Sequence, residues 1–115
     1  MDYREPELFT IDGKEIDLHM SDWYDGPREY ITQPFDEKNA PTVMLWYDDV
    51  DGVEHWFRIL PDSSEKIDSL VENQLSRREL MEHSDISLCK LVGVNFTTIR
   101  PLSLHDKSIE FPDDK

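Results

Sequence analysis

The chain has 115 residues, enough for one domain closing over a single hydrophobic core, and a domain of this size needs neither a disulfide nor a metal to fold. Its 26 acidic and 12 basic residues set a formal charge of −14, which argues against direct binding to nucleic acid or to an anionic membrane because both would repel it. A basic partner stays open.

Cys89 is the one cysteine, so no internal disulfide forms and a reducing, cytoplasmic setting is the simpler expectation. Met1-Asp2-Tyr3-Arg4-Glu5-Pro6 has neither the basic start nor the apolar run of a signal peptide. The run Val43-Met44-Leu45-Trp46-Tyr47 is far short of a membrane span. Aromatic and β-branched residues gathered in patterned segments mark a folded chain rather than a disordered one. A single domain over residues 1–115 is expected, with residues 1–6 and 105–115 as loose tails.

In chain order, Asp12-Gly13 lies between apolar runs, the strongest short-range hairpin signal. A two-residue loop there pairs Phe9 with Ile16 and Ile11 with Lys14, so that Phe9, Ile11, Ile16 and Leu18 share one buried face. Tyr24-Asp25-Gly26-Pro27 reads as a turn before a short strand at Arg28–Thr32. Pro34 to Pro41 reads as a polar loop.

Asp51-Gly52 predicts a second hairpin, from Val43 to Leu60. A two-residue loop sets Trp46 opposite Phe57, Tyr47 opposite Trp56, Met44 opposite Ile59 and Val43 opposite Leu60. One face then carries Val43, Leu45, Tyr47, Trp56 and Leu60, the other Met44, Trp46, Val50, Val53, Phe57 and Ile59. With both faces apolar, this pair belongs in the middle of the sheet, covered on at least part of each side.

Pro61 ends that strand. Asp62 with Glu65 reads as a helix N-cap ahead of Ile67, Leu70, Val71 and Leu75 at helical spacing, and Ser76 with Glu79 repeats the capping pattern for a second short helix through Leu80 and Met81. Strands follow at Ile86–Val94 and Phe96–Arg100, and Phe111 begins a loose end. The order β-β-β-β-β-α-α-β-β predicts an α+β fold, a mainly antiparallel sheet with two short helices packed on it.

Tyr24-Asp25-Gly26-Pro27 followed by a strand, then the aromatic hairpin Met44 to Leu60, resembles a family of small, acidic, uncharacterised bacterial and phage domains. In that family a Tyr-Asp-Gly-Pro turn precedes a Trp-containing strand pair, a short helical segment and a strand. Leu75-Ser76-Arg77-Arg78-Glu79-Leu80 is similar to its helical segment, and Ile109-Glu110-Phe111-Pro112 to its closing element. The resemblance spans most of residues 20 to 112. It implies a bacterial or phage setting and an accessory role, and it carries over no catalytic residue.

Asp48-Asp49-Val50-Asp51-Gly52-Val53-Glu54 invites a calcium reading. An EF-hand loop with glycine at its sixth place would need acids where Tyr47 and Arg58 stand, so a solvated turn is the better reading. His19, His55, His83 and His105 are scattered, without zinc spacing. His55 faces Asp48 in the hairpin register and reads as its surface partner. Cys89 in an apolar strand reads as a small buried hydrophobe rather than a nucleophile. There is no Gly-x-Ser-x-Gly, P-loop or Rossmann fingerprint, so no catalytic residue, cofactor or metal is assigned. The expectation is a protein that is not an enzyme.

The acidic excess is concentrated toward the N-terminus, with 11 acids against 4 bases in residues 1–40 and 6 against 4 in residues 81–115. Plain solubility accounts for part of it. The functional reading is a protein-binding module of immunity, antitoxin, anti-defence or adaptor type that inhibits or occupies a basic surface of another protein. Two alternatives are a nucleic-acid mimic whose carboxylates imitate phosphates, and a small enzyme or metal-dependent domain with an acidic cleft. Arg77-Arg78, the nearest approach to a basic stripe, is flanked by acids, so direct nucleic-acid binding is not expected. The candidate docking site is Asp48, Asp49, Asp51 and Glu54 beside the aromatic anchors Trp46, Tyr47 and Trp56.

Overall fold

Asp12 and Gly13 adopt φ of 51° and 85°, and Asp51 and Gly52 adopt 53° and 80°. A type I′ turn needs this left-handed pair. Both hairpins therefore form where the Asp-Gly dipeptides place them. A computed structural model describes residues 6–23, 27–32 and 40–112. They form β1 (Glu7–Ile11), β2 (Lys14–Trp23), β3 (Pro27–Ile31), β4 (Val43–Val50), β5 (Val53–Leu60), α1 (Glu65–Val71), α2 (Arg77–Glu82), β6 (Asp85–Val92) and β7 (Asn95–Leu102). The element order is the expected one, and the fold is α+β. The Tyr24-Asp25-Gly26 part of the expected turn, residues 34–39 of the expected loop, and residues 1–5 and 113–115 of the expected tails lie outside the described residues.

The sheet is mainly antiparallel, as expected, but it closes into a barrel in the order β1-β2-β3-β4-β5-β6-β7, which was not expected. Each strand pairs antiparallel with the next, and the barrel closes where β1 meets β7 in parallel through Thr10↔Asn95 and Ile11↔Phe96. The Thr10 and Asp12 N–H groups donate across the seam to the Val94 and Phe96 carbonyls, each at 3.0 Å. Among these strands closure leaves no sheet edge to template unwanted pairing.

β1 and β2 pair in the expected register, with Phe9 opposite Ile16 and Ile11 opposite Lys14. Phe9, Ile11, Ile16 and Leu18 face the barrel interior together with Tyr30, Met44, Trp56, Cys89 and Phe96. Four rings fill it. Phe9 meets Tyr30 edge-on at 4.9 Å between centroids, and Trp56 meets Phe96 edge-on at 5.7 Å, arrangements that suit the ring quadrupoles.

β4 and β5 hold the expected register only near their turn, where Asp48 stands opposite His55, Asp49 opposite Glu54 and Val50 opposite Val53. A bulge at Tyr47 then shifts the pairing by one residue. Val43 faces Ile59, Met44 faces Arg58, Leu45 faces Phe57 and Trp46 faces Trp56. A one-residue slip exchanges the faces of every residue beyond it. Phe57 and Ile59 therefore join Val43 and Leu45 outside the barrel, while Trp56 joins Met44 inside it. The strand pair is apolar on both sides because it serves two cores. The outer one is roofed by Ile67 and Leu70 of α1 and Leu80 and Met81 of α2.

α2 has the predicted capping box. The Ser76 hydroxyl accepts the Glu79 N–H at 3.0 Å, and the Glu79 carboxylate accepts the Ser76 N–H at 3.3 Å. For α1 the cap is Ser64 rather than Asp62. The first helical bonds run from the Ile67 and Asp68 N–H groups to the Ser64 carbonyl, and Asp62 instead pairs with Lys66 at 3.1 Å. Residues 105–112, expected as part of a tail, return to the outer core. Ile109 and Phe111 pack against it, and Phe111 stacks on Phe57 at 5.5 Å.

Candidate functional site

The chain reverses at Asp51-Gly52 with its own carboxylates holding the turn. Asp48 Oδ1 accepts the Asp49 N–H at 2.9 Å, and Asp49 Oδ1 accepts the Gly52 N–H at 3.0 Å. Asp48, Asp49 and Asp51 are exposed. His55 stands across from Asp48 as expected, but the expected pair does not form: Asp48 engages its own backbone, and His55 Nδ1 is buried without a hydrogen-bond partner.

Glu54 shares the inward side of β5 with Trp56, two residues on. It lies directly opposite Asp49. Like charges facing across a strand pair cost stability, even though Asp49 also holds the turn by accepting the Gly52 N–H. The Glu54 field reaches Tyr30, whose hydroxyl donates to Glu7 Oε2 at 3.5 Å. Burial first, then the neighbouring Glu7 and Glu54 carboxylates, push the Tyr30 phenol up to about 12. This end of the barrel therefore sets the Glu7 and Glu54 carboxylates near one buried phenol, with Asp49 across from Glu54. Arg28 lies there too, its guanidinium 4.0 Å above the Trp46 ring.

The three aromatic anchors separate. Trp56 is 1 % exposed and sits in the barrel core, so no partner reaches it. Tyr47 packs on Phe57 at 4.9 Å between ring centroids. Trp46 and Tyr47 line a groove with Phe57 and Phe111, but Trp46 packs against the barrel core opposite Trp56, whereas Tyr47 packs against the outer core. The apolar residues offered to solvent beside the acids are valines instead. Val50 is 45 % exposed, Val92 59 % and Val94 53 %. Val92 follows Leu91, which pairs with Glu54, so β6 brings it alongside the same hairpin end. Sequence reading missed these valines because β-branched residues near turns read as strand formers.

Among the described residues, no group of three or more His, Cys, Asp or Glu is placed to hold a metal ion, and no helix is long and apolar enough to cross a membrane. Burial pushes the Cys89 thiol up, with a weaker opposing contribution from Thr98. That is the environment of a packing residue, not of a nucleophile.

Fold and site together define a small closed β-barrel with helices on one flank and an acidic, valine-bearing end. No protein-family model, curated protein or solved structure matches the chain.

Proposed function

We propose that this protein is a non-enzymatic binding module whose acidic hairpin end docks on a basic surface of another protein. The observation that carries the reading is that the exposed valines Val50 and Val92 lie at the same hairpin end as Asp48, Asp49, Asp51 and Glu54. Protein interfaces combine an apolar centre, which supplies affinity, with a charged rim, which steers encounter and excludes wrong partners. The Asp49–Glu54 repulsion supports it further, since a cationic side chain from a partner relieves it. An immunity, antitoxin, anti-defence or adaptor role in a bacterial or phage setting fits a small acidic barrel of this kind, acting in the cytoplasm as an inhibitor or a tether.

The test compares the wild-type chain with a triple variant, Asp48→Asn, Asp49→Asn and Glu54→Gln, against a partner captured from the source cell at low salt. Asparagine keeps the acceptor that Asp49 offers to Gly52, so the turn survives. The variant's association rate falls about tenfold at low salt and loses its salt dependence, while the dissociation rate changes little. Equal association rates for the two proteins at low salt overturn the reading.

A further inference from the structure

Arg58 carries hydrogen-bond donors that the described residues around it do not satisfy. It lies on the inward side of β5, two residues beyond Trp56, toward the barrel end that holds the Asp12-Gly13 turn. A guanidinium has five N–H donors. Among the described residues its one ion-pair contact is Nη1 to Asp12 Oδ2 at 3.6 Å, too long for a hydrogen bond, and its buried Nε has no acceptor among them.

Asp12 is committed elsewhere. Its two carboxylate oxygens accept the Thr98 N–H at 2.8 Å and the Thr98 hydroxyl at 2.6 Å. These Thr98 bonds, more than Arg58, hold its carboxyl below the usual range.

Beside Arg58 is a cavity of about 340 Å³, lined by Arg58, Lys14, Glu15, Thr42 and the inward-facing Ile11 and Ile16. Lys14 and Arg58 bring two cations to it, set against the carboxylates of Glu15 in the lining and of Asp12 beside Arg58. A donor-rich guanidinium, partly withdrawn from water and short of acceptors, is costly unless an anion completes it. Its planar fork matches a carboxylate or phosphate in two parallel bonds. The volume falls within the range of small-molecule sites, and barrel mouths are among the places where such sites occur.

We propose that this cavity binds a small organic oxyanion, with Arg58 as the bidentate anchor, Lys14 as the second cation, and Ile11 and Ile16 as the apolar floor for the ligand's non-polar part. Carboxylate and phosphate share this chemistry. The test is an NMR titration of the full chain with butyrate and, separately, inorganic phosphate, at ionic strength held constant with chloride. Either anion gives saturable shifts centred on Lys14, Thr42 and Arg58. Tighter binding of butyrate assigns a carboxylate ligand, and tighter binding of phosphate a phosphorylated one.

Arg58→Gln weakens binding about tenfold or more. Two substitutions at exposed residues of β2, beside the turn, leave the barrel intact and move affinity in opposite directions: Lys14→Gln weakens it and Glu15→Gln tightens it. No saturable shift with either anion, or shifts that none of the three substitutions alters, overturns the proposal.

Discussion

Arg77, the first residue of α2, grips Glu29 on β3 through two parallel hydrogen bonds, Nε to Oε2 at 2.7 Å and Nη2 to Oε1 at 3.1 Å. Glu29 is 2 % exposed, and the Ser21 hydroxyl donates a third bond to Oε1 at 2.9 Å. Burial lowers the Arg77 pKa, but the bond to Glu29 and the charges of Glu29 and Asp22 outweigh it and leave the pKa raised. The pair pins the second helix to the barrel wall. It also uses up the residue that, with Arg78, came nearest to a basic stripe. Arg78 is engaged as well, with Glu82 at 3.7 Å.

Removing Arg77 leaves a buried carboxylate without its counter-charge. Arg77→Ala is expected to cost about 3 kcal/mol, at the low end for a broken buried pair because the arginine itself is partly in water. Arg77→Lys recovers only part of this, since an ammonium cannot make the two parallel bonds. Urea unfolding measures both. An alanine cost below about 0.5 kcal/mol is what an ordinary surface pair gives, and it would refute the anchoring role.

Trp56 gives a second test of the core. Trp56→Ala is expected to cost about 3–5 kcal/mol through the cavity it leaves among Tyr30, Phe96 and Met44. Trp56→Phe costs far less than that, because it also removes the indole N–H, which is buried without a partner. Equal losses for the two variants would mean that the N–H is satisfied, by a water for instance.

How far the sequence carried this reading can be followed through Asp12, Tyr47 and Thr10. The Asp12-Gly13 hairpin was legible to the residue because turn chemistry and a period of two agree there. At Tyr47 the same logic failed. A bulge has no compositional mark, and one extra residue sent Trp56 inward and Phe57 outward. Barrel closure was invisible for another reason. The parallel contact of Thr10 with Asn95 joins distant parts of the chain without a connecting turn. The acids at the hairpin end were legible because turns are solvated, whereas the pairing of Asp12, Thr98 and Arg58 exists only once the barrel has closed.

Tyr30 sets a pH dependence. Its folded pKa, pushed up to about 12, stands above the ordinary 10.0, so the folded state favours the neutral phenol. The stability this contributes is complete below pH 10.0 and is lost as the pH rises toward about 12. Tyr30→Phe is expected to flatten the stability curve across that window, as measured by denaturant midpoints at stepped pH. An unchanged slope would place the phenolate in water.

Asp49 and Glu54 separate a functional acid pair from a structural one. They face each other across the hairpin, and like charges so placed cost about 0.2–1 kcal/mol. Glu54→Gln and Asp49→Asn are therefore each expected to raise the unfolding free energy slightly. The double variant gains less than the sum, because one repulsion is removed only once. The gain shrinks in high salt, where the charges are screened already. Under the docking reading, the substitutions that stabilise the chain are also those that slow its association with a basic partner. A loss of stability in both single variants would instead make the two carboxylates part of the turn's own scaffold, and the Asp49–Glu54 repulsion would no longer support docking at this end of the barrel.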